Sequence, residues 1–271
     1  MSKLLIPAQR RERIHEYLTV HRIVRSADLG EMLDVSEATI RRDLEWLENE
    51  GILERTHGGA ILSRRVQIEP EYAHRAQTRP EEKRRIGLAV AALIEDGDII
   101  FINSGTTATQ VIRHIPSGAD VTVITNNVSA ALEVGETRFE LILLGGMFQP
   151  RSNSVADRFA IENLNHVYAS KAFVGVDGIS LKYGCTVPSN AEAGIVRLML
   201  ERTRGPVTVV ADSSKWGGIS NFEIATIDQI HRLVTDDGFA SDARAELEAR
   251  SVEVLIAGAE PGLNGHNRAN G

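Results

Sequence analysis

The chain has 271 residues, 42% hydrophobic, 25% charged and 5% aromatic, which suits a globular protein of about two domains and is too apolar for intrinsic disorder. A single cysteine, Cys185, excludes an intramolecular disulfide and any cysteine-built metal centre; no apolar run reaches the ~20 residues of a membrane span, and Met1–Pro7 is too short an apolar stretch for a signal peptide, so the expectation is a soluble, cytosolic protein. The net charge of −7 is unevenly spread, because residues 1–65 hold 11 basic and 11 acidic residues and the remainder 19 basic and 26 acidic; a local basic face in the first part stays available to nucleic acid.

In chain order, Ile14, Tyr17 and Leu18 follow one helical face after Gln9. Ser26 is predicted to cap a second helix whose apolar residues are Leu29, Met32 and Leu33. Asp34 and Val35 form a brief turn, and Ser36 caps a third helix with Glu37 in its first turn. Ile40, Leu44 and Leu47, at i, i+4 and i+7, define that helix's buried face, and Gly51 ends it. Ile52 to Leu62 reads as two short strands around Gly58-Gly59. Helix, tight turn, helix and glycine-tipped hairpin make a winged helix-turn-helix over residues 6–62. The third helix then presents Ala38, Arg42, Glu45 and Asn49 away from the core, with Thr39 and Arg41 on the flanks. Only the start of a recognition helix normally reaches base edges. Arg42 is therefore assigned a base edge; Ser36, Thr39 and Arg41, phosphates or neighbouring bases; Arg55 and His57 on the wing, the backbone or minor groove of double-stranded DNA. The plainer alternative is a solvated face on which Asp43, Glu45 and Glu48 neutralise Arg41 and Arg42. The ordered run of helix, turn and wing argues for DNA.

Residues 63–80, with Ser63-Arg-Arg, Pro70 and Pro80, read as a linker. From 81 to 257 the texture alternates. Candidate strands are Asp98–Ile102, Val121–Thr125, Leu141–Leu144, Ala172–Val176, Val207–Ala211, Arg232–Thr235 and Val252–Ile256, with helices over 107–115, 128–135, 155–164 and 190–203. Near-continuous apolar strands separated by helices predict an α/β fold with a mainly parallel sheet covered on both faces. Residues 258–271 are expected to be a disordered tail.

The turn Asn103-Ser104-Gly105-Thr106-Thr107, between a strand and a helix, offers free backbone N–H groups, hydroxyls and a helix dipole to an anion, phosphate above all. Neither a nucleotide P-loop nor a dinucleotide fingerprint is present. Loops at Thr125–Asn127, Gly145-Gly146, Gly175–Gly178 and Ala211–Trp216 should gather at the same strand ends. Lys215 is assigned to phosphate, and Asp177 and Asn126 to sugar hydroxyls; for Asp212 and Lys215 a surface ion pair is the plain alternative. The eight histidines show no metal-ligand spacing, and no metal or cofactor is expected.

Ser36-Glu-Ala-Thr-Ile-Arg-Arg-Asp-Leu44, Leu47-Glu-Asn-Glu-Gly51 and Arg55-Thr-His-Gly-Gly-Ala60 closely resemble the DNA-binding signature of the DeoR family, bacterial regulators of sugar metabolism that are mostly repressors. Glu82-Lys83, Asn103–Thr107, Thr125-Asn126, Leu144-Gly-Gly, Phe173–Gly178 and Asp212–Lys215 resemble the family's effector domain, which is similar in fold to ribose-5-phosphate isomerase and senses phosphorylated sugars or related metabolites. The resemblance covers residues 6–257 and implies a homodimer or higher oligomer, an operator, a phosphorylated sugar or polyol as effector, and no catalysis. The chain departs from the family at Asn103, where Asp is usual, at Ala169-Ser170-Lys171, and at Val155-Ala156-Asp157. A rival reading is a sugar-phosphate isomerase fused to a DNA-binding module, with Asp177, Glu192 and Lys215 cast as the carboxylate base and the donor that stabilises an enediolate oxygen.

Overall fold

The computed structural model describes residues 6–258 other than 22, 50–52, 57, 63, 66–71, 135, 136 and 138. Its first part opens with helix α1 (Pro7–His21), strand β1 (Ile23–Arg25), α2 (Ser26–Leu33) and α3 (Glu37–Asn49), followed by β2 (Leu53–Thr56) and β3 (Gly59–Leu62). Ile14, Leu18, Leu29, Leu33, Ile40, Leu44 and Leu47 close over Val24, Leu53 and Ala60 as one small core. The three strands pair antiparallel in the order β1-β3-β2, the sheet of a winged helix. Gly59 is required where β3 crosses β1: a Cβ there would lie 1.8 Å from the carbonyl oxygen of Val24.

Two details differ from the sequence reading. Ser26 is the first residue of α2 and caps nothing with its side chain; its N–H donates to the Gly58 carbonyl, tying helix to wing. Asp43 turns inward, so it cannot neutralise Arg41 and Arg42: it is 1% exposed and bonds Arg10 and, at 2.9 Å, Arg11 of α1. The proposed end of α3 at Gly51 lies outside the described residues.

Between the two parts lie β4 (Arg64–Arg65) and α4 (Tyr72–Gln77), and α5 (Pro80–Ala91) leads into the second part. There follow β5 (Ile99–Ile102), α6 (Thr106–His114), β6 (Thr122–Thr125), α7 (Val128–Glu133), β7 (Glu140–Leu143), β8 (Phe148–Gln149), β9 (Ser154–Val155) and α8 (Arg158–Leu164). The chain then returns through β10 (Lys171–Gly175), β11 (Gly178–Ser180), β12 (Gly184–Val187), α9 (Asn190–Glu201), β13 (Val207–Val210), β14 (Gly218–Ile219) and β15 (Phe222–Ala225). It finishes with β16 (Arg232–Asp236), α10 (Ser241–Glu248) and β17 (Glu253–Ala257). The tail expected to be disordered lies outside the described residues beyond Gly258.

All seven strands expected from apolar runs join one sheet, in the order β17-β16-β13-β10-β5-β6-β7 and parallel throughout. Phe101 on β5 and Phe173 on β10, both at most 1% exposed, pack on opposite faces of its centre; burial of each contributes about 1.5–3 kcal/mol. The order reverses between β5 and β10: from β5 the chain winds one way to β7, then comes back to β10 and winds the other way. Such a switch point opens a crevice at the carboxyl ends of the two strands. A smaller antiparallel sheet, β11-β12-β15, was not foreseen; it flanks that crevice.

Candidate functional site

On the first part, α2 ends at Asp34 in the left-handed conformation (φ 53°), and the Val35 N–H closes the turn on the Gly30 carbonyl at 3.0 Å. Ser36 then holds the start of α3: its Oγ accepts from the Thr39 N–H at 3.3 Å and lies 2.9 Å from Thr39 Oγ1. Ala38, Arg41, Arg42, Glu45 and Asn49 are exposed, while Ile40, Leu44 and Leu47 are buried, so the face assigned to DNA does look outward. Arg41 lies 3.9 Å from Glu37, and Arg55 is exposed on β2. His57 lies outside the described residues. Because Asp43 serves the interior, the outward face of α3 keeps both arginines facing solvent.

On the second part, a cavity of about 280 Å³ opens at the β5/β10 switch point. The turn Asn103–Thr107 supplies one wall, Gly175–Asp177 another, and Asp212, Ser214 and Lys215 a third. Gly105 adopts φ 137°, a backbone that side-chain-bearing residues rarely reach, and it stands at the N-cap of α6, whose first residues Thr106 and Thr107 line the space. Of the residues assigned to an effector, Asn103, Ser104, Gly105, Thr106, Thr107, Asp177 and Lys215 line this cavity together.

Asn126 does not. It is fully buried, accepts from the Ser104 N–H at 2.8 Å and donates to the Val155 carbonyl at 3.1 Å, so it shapes the turn from behind. Gly145-Gly146 also falls outside, because β7 is two strands from the switch point. Asn103 has a structural reason to be an amide: Nδ2 donates to the Gly175 carbonyl at 2.9 Å and Oδ1 accepts from the Gly175 N–H at 2.7 Å. A carboxylate could make only the second bond.

The remaining walls come from residues the sequence reading did not assign to the ligand. His74, Arg75 and Thr78 belong to α4 and the turn after it, inside the segment read as a linker. Arg75 reaches Asp177 at 3.4 Å, and Lys215 reaches the same oxygen at 3.7 Å. Lys83, only 5% exposed, donates to the carbonyls of Arg75 and Thr78 at 2.6 and 2.7 Å. Burial, with the charges of Lys215 and Arg75, pushes its amine down to about 8, although Asp212 and Asp177 work the other way. Glu192 at the start of α9 is also buried against the cavity, and burial raises its carboxyl above the usual range, helped by the charge of Asp177. Glu82-Lys83 was visible as a motif; that Lys83 would bend back to hold α4 was not.

Contacts connect the second part to the wing and to β4 just after it. β14, which follows Lys215, pairs with Arg64–Arg65. Glu54 of the wing is buried beside Ser180 and Lys182 of the hairpin that follows Asp177. Ile61 of β3 packs into the large core of the second part.

Residues 10–66 match the DeoR-like helix-turn-helix domain, and residues 78–237 the DeoR C terminal sensor domain. The chain is 32% identical over 251 residues to the HTH-type transcriptional regulator GlpR of Haloferax volcanii, covering 93% of this chain and 98% of that one. It is 34% identical over 245 residues to the HTH-type transcriptional repressor GlcR of Bacillus subtilis, covering 90% and 93%. To a putative aga operon transcriptional repressor of Escherichia coli O157:H7 it is 32% identical over 254 residues, covering 93% and 94%. Among solved structures, ribose 5-phosphate isomerase A of Methanocaldococcus jannaschii shares 16% identity over 51% of this chain and 55% of that chain, with a TM-score of 0.38, a likeness too slight to argue from. With both domains matched in order and full-length relatives above 30% identity, the chain belongs to the DeoR family of transcriptional regulators.

Proposed function

We propose that this regulator is a cytoplasmic repressor of sugar or polyol metabolism: residues 6–62 hold an operator, and a phosphorylated sugar or polyol in the cavity of residues 81–257 releases it. The observation that carries the reading is the composition of that cavity, where the start of α6, Lys215 and Lys83 suit a phosphate while Asp177 and Glu192 suit hydroxyls. We assign those two carboxyls to binding rather than to the proton transfers of an isomerase, since Asp177 is already engaged by Arg75 and Lys215. No cofactor enters this scheme, and a symmetric operator would require at least a dimer.

The coupling follows from α4. An anion drawn to Arg75 and Lys215 competes with Asp177 for both, and α4, held to the cavity by that ion pair and by Lys83, must reseat. Through the β14–β4 pairing and the Glu54 contact, the wing then follows. The ligand acts by binding one arrangement more tightly than the other.

Two substitutions separate the halves. Arg42→Ala is expected to weaken specific operator binding by about 1–3 kcal/mol, as loss of a bidentate base contact does. Lys215→Ala should leave operator affinity intact and blunt release by ligand; equal loss of both would refute the assignment. Fluorescence anisotropy at fixed salt reads both.

Ligand affinity should also depend on pH. Lys83, pushed down to about 8, loses its charge as the pH rises through that value, so affinity for a phosphorylated ligand falls there. An ordinary lysine would hold its charge beyond pH ~10. Calorimetric titration across this range, repeated with Lys83→Arg, should show the fall in the parent protein and its absence in the variant.

A further inference from the structure

Among the described residues the seven-stranded sheet ends at β7. Glu140 N–H donates to the Val121 carbonyl and Leu144 N–H to the Thr125 carbonyl, at 3.0 and 2.8 Å. Alternation along a strand therefore turns the N–H and C=O groups of Leu141 and Leu143 away from β6, to the open side. The side chains there are apolar on both faces of the sheet. Ile142, 47% exposed, shares the face of its partner Ile124, and Leu143, 39% exposed, lies on the opposite face with Thr125. Leu132 on α7, Met147 and Phe148 extend the exposed surface around the strand, at 84%, 62% and 50%. The far edge, β17, carries Glu253 in an ion pair with Arg232 of β16 at 2.7 Å.

An open edge of this kind invites another strand unless charge or a covering element blocks it. Apolar exposure on both faces indicates that the sheet continues, since a partner lying on one face would leave the other wet. Pairing β7 with the β17 of another molecule would propagate without closing, whereas pairing β7 with itself closes after two copies. We infer that β7 pairs antiparallel with β7 of a second copy of this chain, about a twofold axis at Ile142, to give a dimer with one continuous sheet. In that register Leu141 exchanges both backbone hydrogen bonds with Leu143 of the other copy, and Leu143 with its Leu141, so all four open groups are satisfied. Ile142 faces its own copy as a non-hydrogen-bonded pair with Cα atoms about 4.5 Å apart. Glu140 lies opposite Leu144 of the other copy, and no like charges meet. The inference stands whether or not the effector is a sugar phosphate.

Cysteine cross-linking of the full chain tests it against a quiet background, because Cys185 is fully buried and its thiol is pushed up to about 12 by that burial. The pair at Ile142 falls within disulfide reach. Under mild oxidation Ile142→Cys should yield a covalent dimer, while Glu201→Cys, exposed at the end of α9, should not. In sedimentation velocity the parent protein should run as a dimer. Leu143→Pro, which deletes an N–H that β6 does not use, and Ile142→Lys should both run as monomers with unchanged circular dichroism. A monomeric parent would overturn the proposal, as would a dimer that both variants leave intact and that Ile142→Cys fails to cross-link.

Discussion

Replacing Asp43 by alanine is expected to cost the winged helix about 3–5 kcal/mol, the usual penalty for removing one partner of a buried ion pair. The carboxylate is 1% exposed, and Arg10, which it bonds, is 8% exposed. Arg11, at 2.9 Å from the other oxygen, also stacks on Trp46 at 4.4 Å from the ring centroid, so the same group ties α1 to α3 from two sides. Alanine removes the acceptor and leaves a guanidinium in the interior without that carboxylate. Urea unfolding followed by the Trp46 fluorescence should show the loss, with Asp43→Asn intermediate. A change below about 1 kcal/mol would mean that the pair behaves like a solvent-exposed one. Operator affinity should fall together with stability, and cooling should restore both, unlike the Arg42→Ala defect, which leaves the fold intact.

Glu54→Gln is expected to act in the opposite direction. Burial raises the Glu54 carboxyl from 4.5 to about 7, with a smaller contribution from Glu48, while Ser180, Lys182 and the backbone of Leu181 oppose it. A raised carboxyl means that the folded, docked form keeps a proton that the exposed form releases. The docked form therefore loses stability as the pH climbs from about 4.5 to about 7, by about 3 kcal/mol when the shift is complete, and the loss is constant above that. A glutamine at this position would carry no charge, so the variant should match the parent at acid pH and exceed it by up to that amount in alkaline solution. Taking the difference between the two proteins cancels other titrating groups, including Glu192. A difference that stays flat across this range would contradict the buried, docked placement of the wing. Because Glu54 sits where the wing meets the hairpin after Asp177, the same variant should hold the wing more tightly at neutral pH.

The two parts were legible in the sequence to different depths. The central strands of the parallel sheet stood out because both of their faces are buried, which writes near-continuous apolar runs such as Ile99–Ile102 or Val207–Val210, whereas the edge strand β7 reads as apolar although Ile142 and Leu143 are exposed. The inward face of α3 was legible for the same kind of reason, as a spacing. What escaped were features that depend on a distant segment. Asp43 looks like one more surface charge until α1 brings Arg10 and Arg11 to it. Tyr72–Gln77 shows no helical apolar pattern and has no buried residue, since it is held by polar contacts with α6 and the cavity: the Tyr72 hydroxyl to Thr109 at 2.8 Å and Arg75 to Asp177. The small sheet escaped because Gly178–Ser180 and Gly184–Val187 are too short to show alternation. At the cavity, the strand-end rule found the Gly175–Gly178 and Ala211–Trp216 loops but also admitted Thr125–Asn127 and Gly145-Gly146, which do not line it. Asn126 sits in one of those loops, yet its amide is claimed by Ser104 and Val155.

On the proposed function, one molecule both reads DNA and is released from it by a phosphorylated metabolite. The most direct measurement is fluorescence anisotropy of the purified full chain on the DNA upstream of its own coding sequence, at fixed salt. It would be repeated with a panel of sugar and polyol phosphates and their unphosphorylated parents. The expected result is tight binding that one phosphorylated compound abolishes and its unphosphorylated parent does not. Tight binding indifferent to the whole panel would contradict it, leaving a DNA reader whose cavity answers to some other chemistry.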